Sequence, residues 1–401
     1  MSSPQPEAES SKKATSSVQD VIESKPAFGS RFLTKEDDVW SQNAWDHVPP
    51  PDDQVETIAK SLYKQRLNPV PQEDKIKFNK KPAKHWDNFY KMNADNFFRN
   101  RKWLHNEFPE LVDATKADGG AVSITEVGCA GNSVFPLISA NQNPELHIRA
   151  YDYSSHAVKL VQNNPLYISP PTGKIQASVW DVTSASGLPS DLIPGTVDIV
   201  IMVFVMSALH PDEWGQAISN VQKILKPGGL VLFRDYGRYD LTQLRFKGGR
   251  LLDENFYVRG DKTRVYFFEL DELSLLFTGA NVSETQLETT ISTTEITQDE
   301  DGNDIGTRSS EINPENQGSS SSLSLSSVNS ESSSPAEGST STPSIPTSAV
   351  IHPNLLSPLA NCPPHPLFVA EQLGVDRRLI VNRKRQLKMY RVWMQGKFRK
   401  I

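Results

Sequence analysis

Small and acidic residues recur along this chain where an α/β fold can hold a nucleotide-type ligand. The run Glu126-Val127-Gly128-Cys129-Ala130-Gly131-Asn132 follows a strand pattern and opens a helix pattern. Small side chains there let the backbone approach a ligand, and a helix start offers unpaired N–H groups. Asp152 ends the next strand, 24 residues after Gly128, where a carboxylate can accept both ribose hydroxyls. Asp181 ends a third strand, placed to accept an adenine amino group, with Val182 beside it. Val203, near the end of a fourth strand, can pack on the adenine ring. All these positions fall at the carboxyl edge of the sheet, where such folds bind ligands. The turn lacks the G-x-G-x-x-G spacing of nicotinamide enzymes and shows no diphosphate cradle. A Lys226-Pro227-Gly228-Gly229 turn before a strand is typical of methyltransferases. The pattern points to S-adenosylmethionine.

The elements that must position these groups alternate. Strands are expected at Val122–Val127, His147–Asp152, Lys174–Trp180, Val197–Val205 and Leu230–Phe233, with helices at Gly131–Ala140, Ser155–Asn163 and Asp212–Leu225. Val197–Val205 is an apolar run interrupted only at Asp198, as expected of a parallel strand buried on both faces. A short strand (Arg264–Phe268), a helix (Asp271–Thr278) and a last strand (Met389–Phe398) follow. Alternation of this kind implies an α/β fold with a right-handed, mostly parallel sheet. Upstream, Lys84–Leu111 carries aromatics at three- and four-residue spacings, a helical pattern.

Composition sets the limits. Of 401 residues 37% are hydrophobic and 28 are prolines, so the core is concentrated in part of the chain. Cys129 and Cys362 are the whole cysteine complement, too few for a disulfide framework or a structural zinc site, so no metal is expected. No apolar run approaches the ~20 residues of a transmembrane helix, and a soluble, cytoplasmic (also nuclear) protein is expected. The net charge of −6 hides an asymmetry: Val282–Val350 holds eleven acidic residues and one basic one, leaving +4 on the rest. A mildly basic body permits a polyanionic partner. The expected organisation is a disordered N-terminus (1–27), an arm and helical extension (28–115), a catalytic domain (116–281 and 368–401) and a disordered Ser/Thr/Glu-rich insertion (282–367).

Longer motifs make the reading specific. SRFLTKEDDVWSQNAWDHV (30–48), HWDNFYKMNADNFFRNRKWLHNEFPEL (85–111), EVGCAGNSVFPLI (126–138), YDYSSHAVKLVQNNPLY (151–167) and FVMSALHP (204–211) are joined by RDYGRYDLTQLRFKGG (234–249), ENFYVRGDKTRVYFFELDEL (254–273) and VDRRLIVNRKRQLKMYRVWMQGKF (375–398). On these the chain resembles the tRNA 3-methylcytidine methyltransferases, a branch of the class I S-adenosylmethionine-dependent enzymes, and the arm looks most like the threonine/arginine tRNA branch. The resemblance implies a Rossmann-like sheet of seven mostly parallel strands with helices on both faces. It implies methylation of an anticodon-loop cytidine, and that Trp86 and Tyr90, four residues apart on one helical face, join the cofactor site. The chain departs from the family in one place. The usual Gly-Cys-Gly-x-Gly-Asn turn is one residue shorter here, which keeps a non-catalytic paralogue that binds tRNA or a partner open as an alternative. A methyltransferase for protein or small molecules is another.

With cytidine as acceptor, the ring nitrogen at position 3 attacks directly through its in-plane lone pair. The site must then supply alignment and stabilise the positive charge moving onto the base. Asp235, Tyr236 and Arg238, at the end of the fifth strand, are the candidates, with Asp235 as a carboxylate beside the base. Tyr236 or Tyr239 can stack on the flipped base, and Arg238 and Arg245 can hold flanking phosphates. An internal Asp235–Arg238 ion pair is the plain alternative. Two basic stretches can track tRNA: Lys75–Lys102 (including Arg99, Arg101 and Lys102) and Arg377–Lys400 (including Arg377 and Arg383). An accessory protein such as an aminoacyl-tRNA synthetase is compatible with the sequence.

Overall fold

The computed structural model describes residues 32–46, 48–49, 51, 53–93, 101, 104–129, 133–282 and 350–401. The expectations for 1–27, most of the insertion, Arg99, Lys102 and Ala130–Asn132 lie outside the described residues.

The α/β half alternates as its sequence demands. Strand β2 (Ser123–Val127) leads to helix α6 (Val134–Ala140), β3 (His147–Asp152) to α7 (Ser155–Gln162) and the short α8 (Pro165–Ile168), and then β4 (Lys174–Val179) follows. Strand β5 (Val197–Val203), helix α9 (Trp214–Ile224) and β6 (Leu225–Tyr236) complete a parallel set in the order β6-β5-β2-β3-β4. Strand β5 shows why an apolar run, broken only at Asp198 near its start, suits this place. Val197, Val200 and Met202 enter one core cluster, while Ile199, Ile201 and Val203 enter another. Side chains alternate across a strand, so a central strand covered on both faces needs apolar residues on both faces.

Helix α9 ends at Ile224, and the Lys226–Gly229 stretch is not a free turn. It lies inside β6, bulged between the pairs Val197↔Leu225 and Ile199↔Leu230, with Gly228 at φ 74. Beyond β6 the sheet turns antiparallel. Two long strands, β10 (Phe368–Asn382) and β11 (Leu387–Lys400), form a hairpin whose second strand pairs with β6. The arm adds β1 (Ala44–Asp46) on the outside of β10. The sheet therefore has eight strands, one more than expected, in the order β1-β10-β11-β6-β5-β2-β3-β4. The expected strand at Arg264–Phe268 shortens to β9 (Arg264–Tyr266). It belongs to a separate sheet with β7 (Leu251–Asp253) and β8 (Phe256–Val258). Helix α10 (Leu270–Thr278) starts with a Glu269/Glu272 capping box and stops at Gly279, φ 79.

The N-terminal extension is docked by specific polar contacts. It comprises α1 (Gln54–Leu67), α2 (Gln72–Lys80), α3 (Pro82–Asn93), α4 (Leu104–Glu107) and α5 (Pro109–Ala114). In α1, Gln65 donates to the carbonyls of Gln243 and Phe246 (2.9 and 3.1 Å) and accepts from the Tyr257 hydroxyl at 2.8 Å. A buried ionic network fastens the far side. Arg234 of β6 pairs with Asp376 of β10 and donates to Gln395 of β11. Arg378 contacts Asp376 (2.9 Å), Glu107 of α4 (3.1 Å) and Asp46 of β1 (3.7 Å).

Candidate active site

At the carboxyl ends of β2, β3, β4, β5 and β6 lies a cavity of about 1030 Å³, its open mouth included. Gly128 turns the chain out of β2 at φ 71, and a Cβ there would stand 2.6 Å from Val205 Cγ2. Only glycine meets both the left-handed backbone and the close approach. Asp152, at the end of β3, is 5% exposed, and its Oδ1 accepts the Ser154 N–H at 2.8 Å. Burial pushes its carboxyl up to about 8, although the Ser154 N–H opposes this. Asp181 is exposed at the rim, where its Oδ1 accepts from the Thr183 hydroxyl (2.6 Å) and N–H (2.9 Å). Val182 and Val203 are buried in the wall.

Helix α3 crosses one side of the cavity. Asp87 accepts from the Ser154 hydroxyl at 2.7 Å, tying α3 to the loop just after Asp152. Phe89 and Tyr90 pack on Ala157 of α7 with Trp86 beside them, and Trp86 lies 5.9 Å from Tyr90, ring centroid to centroid. All seven positions expected to hold cofactor (Trp86, Tyr90, Gly128, Asp152, Asp181, Val182 and Val203) line this one cavity.

The groups expected around the acceptor sort differently. Tyr236 lines the cavity, with Phe204 packed against its ring at 4.7 Å. Phe204 is held in left-handed conformation, φ 62, and its N–H donates to the Arg234 carbonyl at 2.8 Å. Asp235 corrects the expectation of a carboxylate beside the base. It is fully buried, does not line the cavity, and accepts from the N–H groups of Ser207 (3.0 Å) and Tyr236 (2.8 Å). Burial raises its carboxyl to about 6 against the pull of Ser207, Tyr236 and Arg259. Asp235 thus fixes two residues of the wall, Ser207 and Tyr236, by their backbone N–H groups. Arg238 is a second correction. It is buried, pairs with Glu272 at 2.6 Å and donates to the Val350 carbonyl at 2.7 Å, so its guanidinium is spent inside the fold, though not on Asp235.

Arg101, expected to contact tRNA, lines the cavity, 3.8 Å from the buried Glu126 and 5.7 Å from the Phe204 ring centre. Burial lowers its pKa, and Glu126 works against that shift. Tyr239, Arg245, Arg377 and Arg383 do not line the cavity. Tyr239 is half-buried, whereas the three arginines are exposed, and Arg383 donates to the Ser41 carbonyl at 2.9 Å.

Sequence reasoning missed a further wall. The β8–β9 connection brings Arg259, Asp261 and Thr263 to the cavity, and the Arg259 guanidinium lies over the Tyr236 ring at 5.4 Å. The turn is wired locally: Asp261 accepts from the Thr263 hydroxyl (2.6 Å) and N–H (2.9 Å), and Lys262 sits at φ 71. A Gly-Asp pair between apolar-aromatic runs (FYV and VYFF) was the available signal for a hairpin here.

Comparison with known proteins agrees with this architecture. A family model described as a methyltransferase domain matches residues 125–231, from β2 into β6, and the fold is that of this class. The chain is 38% identical over 98% of its length to the tRNA N(3)-methylcytidine methyltransferase trm140 of Schizosaccharomyces pombe, covering 98% of that protein. It is 40% identical over 92% of its length to the tRNA(Thr) (cytosine(32)-N(3))-methyltransferase of Saccharomyces cerevisiae, but spans only 45% of that longer protein. Against the tRNA N(3)-cytidine methyltransferase METTL2 of Danio rerio identity is 39%, over 65% of this chain and 82% of the other. The chain belongs to the tRNA N(3)-methylcytidine methyltransferase family. Among the described residues no helix is long and apolar enough to cross a membrane, and no group of acidic, His or Cys side chains is suited to a metal.

Proposed function

We propose that this chain transfers a methyl group from S-adenosylmethionine to N3 of a cytidine in the anticodon loop of tRNA, with threonine and some arginine tRNAs as substrates. The observation that carries the reading is the single cavity in which all seven cofactor positions meet Tyr236 and Phe204. The residues fit the cofactor: a buried carboxylate for ribose hydroxyls at Asp152, a rim carboxylate with an apolar neighbour for adenine at Asp181 and Val182, and a turn at Gly128 that leaves no room for a side chain.

When bound, S-adenosylmethionine supplies a methyl group on a positively charged sulfur. Trp86 and Tyr90 cover that side of the cavity and exclude water. N3 of cytidine carries a lone pair and no proton, so the reaction needs no general base, in keeping with an Asp235 that is turned away from the cavity. The Tyr236 ring offers a stacking face for a base lifted out of its strand. The same ring stabilises the cation that forms, because an aromatic face attracts positive charge. Asp235 holds Tyr236 and Ser207 in register for this.

Incubation with labelled S-adenosylmethionine and total tRNA, followed by digestion to nucleosides, tests the reading. Labelled 3-methylcytidine is expected. Its absence both with and without cell extract, which would supply an accessory protein such as an aminoacyl-tRNA synthetase, defeats it.

A further inference from the structure

Tyr236 does not present a bare face to the cavity. The Arg259 guanidinium, planar and positively charged, lies over the ring at 5.4 Å, and Phe204 packs against the ring at 4.7 Å. Phe267, 5.7 Å from the ring, does not line the cavity, and the two neighbours that do are held very differently. Phe204 is fixed by its backbone, bonded to the Arg234 carbonyl, and its ring is backed by Arg101. The Arg259 side chain makes two long hydrogen bonds from Nη1, 3.5 Å to the Thr263 hydroxyl and 3.4 Å to the Arg264 carbonyl, and enters no ion pair among the described residues. Its backbone, by contrast, is locked, the N–H donating to the Thr263 carbonyl at 2.8 Å. A pyrimidine that stacks on Tyr236 must displace one neighbour, and the loosely held arginine is the one that can yield.

Resting on the methyltransferase reading above, we propose that Arg259 is a placeholder on the acceptor-base face of Tyr236, and that its charge drives release of the methylated product. Before reaction the base is neutral. In the transfer the N3–CH3 bond forms as the S–CH3 bond breaks, the sulfur leaves as a neutral thioether, and the positive charge passes to the base with no proton lost. The ligand on Tyr236 thereby acquires the charge and the planar shape of the guanidinium that it displaced. A cationic base and Arg259 then repel one another and compete for one aromatic face. Unmethylated tRNA meets the competition for the face without the repulsion.

The test compares affinities of unmethylated tRNA and the same tRNA carrying 3-methylcytidine, each with S-adenosylhomocysteine present, for wild type, Arg259→Gln, Arg259→Met and Arg259→Lys. Wild type is expected to bind the methylated tRNA more weakly. The gap should narrow at least threefold in the Gln and Met variants and persist in Lys, which keeps the charge. The locked backbone of the turn should leave the melting temperature as in wild type, and the two neutral variants guard against misfolding of either one. A gap unchanged in both neutral variants overturns the inference, and so does a wild type that binds both tRNAs equally. Failure of the wild type to form 3-methylcytidine in any tRNA would instead defeat the underlying reading.

Discussion

Asp152 is a carboxylate held where a carboxylate is least stable. Its pKa in the folded, cofactor-free protein is raised from 3.8 to about 8 by burial. The native state therefore holds this proton more tightly than the unfolded chain does, and the group's contribution to stability falls as pH rises from about 4 to about 8. Ribose hydroxyls donate to the ionised form, so cofactor binding should release a proton. Cofactor affinity is expected to rise with pH up to about 8 and then level off. Calorimetry at several pH values, in buffers of different ionisation enthalpy, measures both the affinity and the proton. Asp152→Asn should abolish the pH dependence and weaken binding about 10- to 100-fold, the worth of a hydrogen bond to a charged group (about 1.5–3 kcal/mol). Asp235 makes a different prediction because both of its oxygens accept backbone N–H groups. In Asp235→Asn an amide NH2 faces one of those donors. The expected cost is about 1–3 kcal/mol of stability in urea unfolding, with a larger fall in kcat than in cofactor affinity. The sequence placed Asp235 at the right strand end but could not show which way it points. That depends on the Ser207 N–H, delivered by the separate chain turn that follows β5.

At the scale of elements, what was legible depended on whether a strand's partners are local and apolar. Strand β5 declared itself because six of its seven residues are apolar. Strand β10 did not, since Glu371, Asp376, Arg377 and Arg378 interrupt any apolar period. Two of these, Asp376 and Arg378, point into the ionic network with Arg234, Glu107 and Asp46, and charge pairing takes the place of hydrophobic pattern. Strand β1 was illegible for a related reason. Its three residues acquire strand character only by pairing with β10, helped by the buried Trp45 packed on Leu379 and Val381. The network thus binds arm, extension and sheet together, and Arg378 is its hub. Arg378→Met would take one cation away from Glu107, Asp376 and Asp46, leaving Arg234 to Asp376, and removing one partner of a buried pair costs about 3–5 kcal/mol. A lower urea midpoint is expected, with Arg378→Lys recovering part of the loss. An unchanged midpoint for Arg378→Met would show that the network is not holding the arm.

The whole molecule separates its charges by task. Arg234, Arg238, Arg264 and Arg378 are buried or nearly so and are spent on carboxylates within the fold. The tip of the β10–β11 hairpin, from Arg383 to Lys388, is exposed and carries Arg383, Lys384, Arg385 and Lys388. Sequence alone ran these two classes together, counting Arg377–Lys400 as one basic stretch, because only tertiary structure distinguishes an arginine in an ion pair from one in water. Within the tip, Arg383 bonds the arm at Ser41 and Lys388 lies 5.8 Å from the Trp40 ring centre, so both also serve the fold. Lys384 and Arg385 offer the cleaner test. If the tip touches tRNA phosphates, the double substitution Lys384→Gln, Arg385→Gln should weaken tRNA binding at low salt. It should also make log affinity less steep in log salt by about 0.7–0.9 for each phosphate no longer neutralised, the signature of fewer counterions released. Melting temperature and cofactor affinity should stay as in wild type, because neither side chain reaches the cavity. A parallel drop in affinity with an unchanged salt slope would mean that the two residues act through the fold and not through phosphate.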